Sequence, residues 1–230
     1  MRCIVVIAIV IGTAASAAAQ GVDDAKLWSE ATGAVDVADN MRASVSEQLR
    51  SGADSGFDQA RTELDLGIRA NAYLSFAALY VLMLRDGDPR LDTFDETRHR
   101  FAGDVKVGWE RDRLSLSNRV RLQYTTYEMD SDHVHLRDKI RAGYDVTKHV
   151  TPYAALELFV LLSPKGEYRE TRWYLGVDWR AMKRLELGAF FLRQDETNVG
   201  TPEHNNILGL ELTYLIHKIK KPKPTPTDHD

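Results

Sequence analysis

The sequence is almost without cysteine. Its single one, Cys3, stands ahead of the first apolar run, so it is not placed as a lipoprotein acylation site. Everything downstream lacks a thiol, which excludes disulfides and cysteine-held metals. Long apolar runs are missing too. Beyond residue 19 no segment reaches the roughly 20 apolar residues of a membrane-crossing helix, so a helical membrane protein is excluded. There is no excess of positive charge: the formal net charge is −4, or −5 once Arg2 is set aside. That argues against a general nucleic-acid binder. No glycine-rich phosphate loop, zinc motif or dinucleotide fingerprint occurs, and no cofactor is expected.

The first residues read as an address. Arg2 supplies a positive start, 4–11 an apolar core, and 13–19 a run of small residues ending Ala17-Ala18-Ala19 before Gln20. This predicts a cleaved secretory signal peptide over 1–19. The apolar core is too short for an N-terminal anchor, the other reading of such a segment. At the far end, 218–230 is rich in lysine, proline and threonine and reads as an extended tail. It could be a solvated end or a contact for peptidoglycan or a periplasmic partner. The single domain expected is 20–217.

Within that domain the dominant signal is alternation with period two, the period of a strand and not of a helix. In 61–71, Thr62, Leu64, Leu66 and Ile68 oppose a polar face. The pattern returns in 98–110, 114–126, 133–146, 168–180 and 208–217. The polar faces carry Glu63, Asp65 and Arg69 in the first segment, then Arg98, Arg100 and Asp104. Arg119 and Arg121 follow, then Arg137 and Arg141, then Glu170, Arg172 and Asp178. Two segments, 74–84 and 154–162, are apolar on both faces; their surroundings favour strands.

Short links near 70–73, 110–113, 147–151 and 180–184 alternate with longer ones near 85–96, 129–132, 163–167 and 194–204. Outer-membrane barrels have this asymmetry, with the short turns on the periplasmic side. The expected fold is therefore all-β: an antiparallel up-and-down transmembrane barrel of about 10–12 strands. Strands at 27–37 and 41–49 bring the count to about eleven, whereas bacterial single-chain barrels have even numbers. Either a further strand is hidden, or 39–50 is a helix, with Met41, Val45 and Leu49 at i, i+4, i+8 and Asp39 as its cap. The strand reading is preferred.

Alternation does not say which face is inside. A soluble ligand-binding barrel would turn the apolar face inward. Aromatic spacing favours lipid outside: Phe101 and Trp109 lie eight residues apart on one face. That is roughly 26 Å along a strand, or about 20 Å after a tilt of about 40°, close to the apolar band of about 25 Å. Trp173 and Trp179 repeat the arrangement, and the four are expected to form an aromatic girdle.

Short motifs sharpen this. Leu27-Trp28-Ser29, Glu96-Thr97-Arg98-His99-Arg100, Arg119-Val120-Arg121, Tyr144-Asp145-Val146-Thr147 and Thr151-Pro152-Tyr153 resemble those of an uncharacterised outer-membrane-barrel family, domain of unknown function 2490. The resemblance runs from about residue 27 to 217. It implies a barrel fold and an outer-membrane location in a Gram-negative cell, and brings no chemistry. Gly209-Leu210-Glu211-Leu212-Thr213-Tyr214 is similar to the aromatic-ended closing strand that barrel-assembly machinery reads, although here a tail follows it. The partners expected are outer-membrane lipid and that machinery, no nucleic acid, and no second subunit.

For function, the charged lumen admits two readings: a narrow channel whose arginine forks select small anionic solutes, or a structural barrel plugged by its own ion pairs. A barrel-wall hydrolase acting on lipid or peptide would need a triad from His99, His149, His204 or His217, and no spacing picks one out. His133 and His135, about 6.6 Å apart along a strand, could share a metal. Asp130 and Asp132 lie nearby, but no third ligand is fixed, and no metal is expected.

Overall fold

A computed structural model describes residues 25–52, 56–86, 94–127, 132–163, 166–198 and 204–216. The segments read as signal peptide and tail lie outside them. The described residues form eleven strands: β1 (Ala25–Ala38), β2 (Met41–Gly52), β3 (Gly56–Arg69), β4 (Leu74–Asp86), β5 (Phe94–Arg111), β6 (Leu114–Tyr127), β7 (His133–Tyr144), β8 (Val150–Ser163), β9 (Glu167–Met182), β10 (Leu185–Glu196) and β11 (His204–Ile216). Each pairs with its sequence neighbours, and β1 with β11 closes the barrel. Closure removes the unpaired edges an open sheet would present.

Eleven is odd, and this corrects the expectation of a wholly antiparallel sheet. In an up-and-down chain every strand reverses the last, so the first and eleventh run the same way. The seam is accordingly parallel, with Trp28 opposite Gly209 and Glu30 opposite Glu211. No twelfth strand exists among the described residues. The alternative helix over 39–50 is overturned as well: it is β2, in antiparallel register with β1 and β3. Met41, Val45 and Leu49 suited both readings because a spacing of four is also a multiple of two, and keeps all three on one strand face.

Short connections gather at one end and their chemistry is local. Asp112 turns β5 into β6 with φ of 55°, a left-handed value that Asp adopts more readily than most residues. Before β4, the Asn71 side-chain oxygen accepts the backbone N–H of Tyr73 (2.8 Å) and Leu74 (2.9 Å). Before β8, the Thr147 hydroxyl accepts those of His149 and Val150, both at 3.1 Å. The opposite, loop end carries the connections containing 53–55, 87–93, 128–131, 164–165 and 199–203. β1 starts at the loop end and β11 finishes at the turn end.

The alternation sorts the side chains. Leu64, Phe76, Val107, Leu122, Ile140, Leu175 and Leu208 point outward and are exposed. The charged faces point into the lumen. The two doubly apolar segments are β4 and β8, whose inner faces (Leu79, Val81 and Met83; Ala155, Phe159 and Leu161) are buried within the barrel. A cluster of Trp28, Ala155, Tyr174, Phe190, Leu192 and Ile207 packs the interior beside β1 and β8–β11. The lumen thus has an apolar wall and an ionic wall.

Candidate functional site

The ionic wall is built by cross-strand register. Asp104 on β5 stands directly opposite Arg121 on β6. The guanidinium grips it with both prongs: Nε donates to Oδ1 at 2.7 Å and Nη2 to Oδ2 at 2.8 Å. Glu63 from β3 approaches the same arginine at 3.9 Å. Between β6 and β7 the register sets like charges face to face, Arg121 opposite Arg137 and Arg119 opposite Lys139. Such pairs repel, and a carboxylate from β8 resolves them.

That carboxylate is Glu157, with no exposed surface. Its Oε1 accepts from Arg119 Nη2 (3.0 Å) and from Arg137 Nε (3.1 Å) and Nη2 (2.7 Å). Its Oε2 accepts the Tyr174 hydroxyl at 2.9 Å. Lys139 lies 3.8 Å from the centre of the Tyr174 ring. Arg137 also donates to Gln123 at 3.3 Å. The result is a packed ionic layer across the middle of the lumen, continuous with the apolar cluster.

A chamber of about 500 Å³ opens on the loop side of this layer. Its carboxylates are Asp58 and Glu170. Against them stand eight cationic side chains: Lys26 and Arg50 from β1 and β2, Arg61 and Arg85 from β3 and β4, Arg98 and Arg100 from β5, Arg137 from β7, and Arg172 from β9. Aromatic rings hold several guanidinium planes. Arg50 lies 3.8 Å from the Trp28 ring centre, Arg98 4.5 Å from Tyr127, and Arg137 and Arg172 each 4.4 Å from Phe159. A second chamber, of about 440 Å³, faces the turn end. Its charges balance: Asp36, Asp39, Asp65 and Asp104 against Arg42, Arg69, Lys106 and Arg119.

Of the residues singled out in the sequence, Glu63, Asp104 and Arg121 meet in one group, and Arg119 and Arg137 meet on Glu157. Arg172 pairs with Glu170, and Arg141 with Asp178 nearer the turn end. Arg98 and Arg100 line the loop-end chamber, while Asp65 and Arg69 line the other. Phe101, Trp109, Trp173 and Trp179 point outward, 53, 40, 53 and 50 % exposed.

Arg61 and Lys139, on the polar faces of 61–71 and 133–146, also line the lumen, and so do Glu157 and Arg50, which the alternation does not single out. The signal for Glu157 was a lone charge within the apolar 154–162. The outer face is also less uniform than simple alternation implies. Asn118 donates to Asp138 at 2.5 Å, among Leu116, Val120 and Ile140. Val120 is opposite Asp138 and Asn118 opposite Ile140, which makes the two polar residues diagonal partners.

The histidines do not assemble. His99 bonds Tyr80 (2.8 Å), His149 the Arg180 carbonyl (3.2 Å) and His204 Asp195 (2.8 Å). His133 and His135 have ring centres 5.8 Å apart and face the lumen. No group of three or more metal-binding side chains occurs among the described residues. His217 and Asp130 lie outside them.

The family model for a protein of unknown function (DUF2490) matches residues 25–206, from the first strand into the last. No curated protein matches the chain. The chain belongs to the DUF2490 family.

Proposed function

We propose that this DUF2490 member is an outer-membrane wall protein whose lumen is closed by its own ion pairs. The observation that carries the reading is the inversion of a soluble core. Leu175, Ile140, Leu122 and Val107 face outward and are more than half exposed, while Glu157, Arg121, Arg137 and Asp104 are buried inside. In water each exposed apolar side chain would forgo about 25 cal/mol per Å² of burial; in lipid it is at home. A closed barrel is one of the two architectures that satisfy every backbone group within a bilayer. The outward tryptophans suit the aromatic girdles of such barrels.

Closure at mid-height follows from the ionic layer. Glu157 accepts from Arg119, Arg137 and Tyr174, and the last two also pack on the apolar wall through Phe159 and Phe190, so opening a path would unpair buried charges. Pairs of this kind are costly to break, about 3–5 kcal/mol when one partner is removed. The tests are fractionation and planar bilayers. The full chain is expected in the outer membrane and is expected to give no steady conductance. Recovery from the soluble periplasm would overturn the location, and a stable open-pore current would overturn the closure.

A further inference from the structure

Three arginines of the loop-end chamber make no ion pair among the described residues. They are Arg50, Arg61 and Arg100, which converge on it from three strands. Their hydrogen-bond partners are neutral. Arg50 Nε and Arg61 Nη1 both donate to Oε1 of Gln48, at 2.7 and 3.1 Å. Arg100 Nε donates to the Thr125 hydroxyl at 3.0 Å. The buried Arg61 Nε and His135 Nδ1 have no hydrogen-bond partner among the described residues. These arginines lie within electrostatic reach of one another: Arg50 feels Arg61, Arg172 and Arg100, and Arg100 feels Arg61 and Arg137, while Arg61 also feels the carboxylates of Glu63 and Glu30. The contrast with the ionic layer is sharp, since Arg121 and Arg137 each grip a carboxylate there.

A guanidinium does not shed its charge to relieve such crowding. Glu63 and Glu30 offset Arg61 in part, and a counter-anion is the remaining way to neutralise Arg50 and Arg100. A lone carboxylate would satisfy one fork, whereas forks arriving from β2, β3 and β5 call for an acceptor with several charged oxygens. Phosphoryl groups supply them, and match the fork bidentately. Stacking on Trp28 fixes the Arg50 plane before any ligand arrives. The volume, about 500 Å³, falls within the roughly 300–1,000 Å³ of small-molecule sites. We infer that the loop-end chamber is a binding site for a compact polyphosphorylated anion, held by Arg50, Arg61 and Arg100. This goes beyond the closed-wall reading and does not rest on it.

The experiment titrates inorganic pyrophosphate into the full chain in detergent micelles by calorimetry. Saturable binding of one pyrophosphate per chain is expected, with acetate weaker by about tenfold or more. The double variant Arg50→Gln/Arg100→Gln should weaken pyrophosphate about tenfold or more, while Arg180→Gln, paired with Glu186 at the turn end, should not. Circular dichroism and heat-modifiable gel mobility report folding, and Arg100→Gln alone serves if the double variant does not fold. Absence of saturable binding by the native chain, or native affinity in the folded variant, overturns the site. Repeating the titration in phosphatidylcholine bilayers with and without phosphatidic acid separates the sources. Competition by phosphatidic acid assigns the phosphate to a lipid headgroup, and its absence assigns it to a soluble solute. Pyrophosphate binding by a chain recovered as a soluble protein would refute the membrane location and leave the site standing.

Discussion

Arg137 Nη2 meets Glu157 Oε1 at 2.7 Å inside the barrel, and the carboxylate has no exposed surface at all. The two strands β6 and β7 set Arg121 against Arg137 and Arg119 against Lys139. Glu157 supplies the counter-charge for one member of each of these pairs, Arg137 and Arg119. Its replacement by Gln keeps the shape but leaves Arg119 and Arg137 without their counter-charge. A loss of about 3–5 kcal/mol is expected for Glu157→Gln, and less for Arg119→Ala, whose side chain is partly exposed. Urea-induced unfolding of the reconstituted barrel, followed by gel mobility, measures both. Equal stability of Glu157→Gln and the native chain would show that the ionic layer does not hold the barrel together.

The apolar half of the lumen predicts a different sensitivity. Gly209 faces Phe190 so closely that an added Cβ would lie 2.0 Å from the ring. Phe190 is itself buried among Trp28, Tyr174 and Leu192 and has little room to retreat. Gly209→Ala is therefore expected to destabilise by about 1–3 kcal/mol through overpacking. Gly103, which has nothing within 4 Å of an added Cβ, is the matched control and should tolerate Ala with little change. The same unfolding midpoints test the pair.

Much of the fold is legible in the order of residues alone. Period-two alternation places the strands, and the spacing of short and long links places the turn end. What alternation does not carry is the pairing of strands far apart in sequence. Glu157 reaches Arg119 across 38 residues, and no local pattern announces that contact. Parity is obscured for a physical reason: the 39–50 segment satisfies period two and period four together. The parallel seam follows from a strand count that local patterning leaves open. The apolar lumen wall is visible in the sequence only as two strands without a polar face. The loop-end chamber gathers side chains from nearly every strand, and Arg50 shows its role only once β2 is placed beside Trp28.

Asn118 and Asp138 test the outer face. Their hydrogen bond of 2.5 Å lies among apolar side chains that, on the proposed location, meet lipid. Asn118→Leu would leave a carboxylate there without its donor. A loss of about 1–3 kcal/mol is expected, larger in bilayers than in short-chain detergent, where water reaches the surface. The double variant Asn118→Leu/Asp138→Leu should recover much of that loss, because replacing both partners removes the unsatisfied group. Failure of the double variant to recover would mean that the pair does more than satisfy itself.

The four tryptophans give the most direct reading of inside and outside. Trp109, Trp173 and Trp179 are 40 to 53 % exposed on the outer face, whereas Trp28 is buried in the lumen against Arg50. Single-tryptophan variants, with Phe at the other three positions, can be reconstituted in bilayers containing brominated acyl chains. Contact with bromine quenches indole fluorescence. Strong quenching is expected for Trp109, Trp173 and Trp179 and little for Trp28, because the barrel wall stands between its ring and the lipid. Trp109 and Trp179 are near short turns, so both should respond most to bromine placed at one common depth, at the interface where aromatic girdles sit. Quenching of Trp28 as strong as that of Trp179 would mean that lipid reaches both faces of the wall, and no closed barrel permits that.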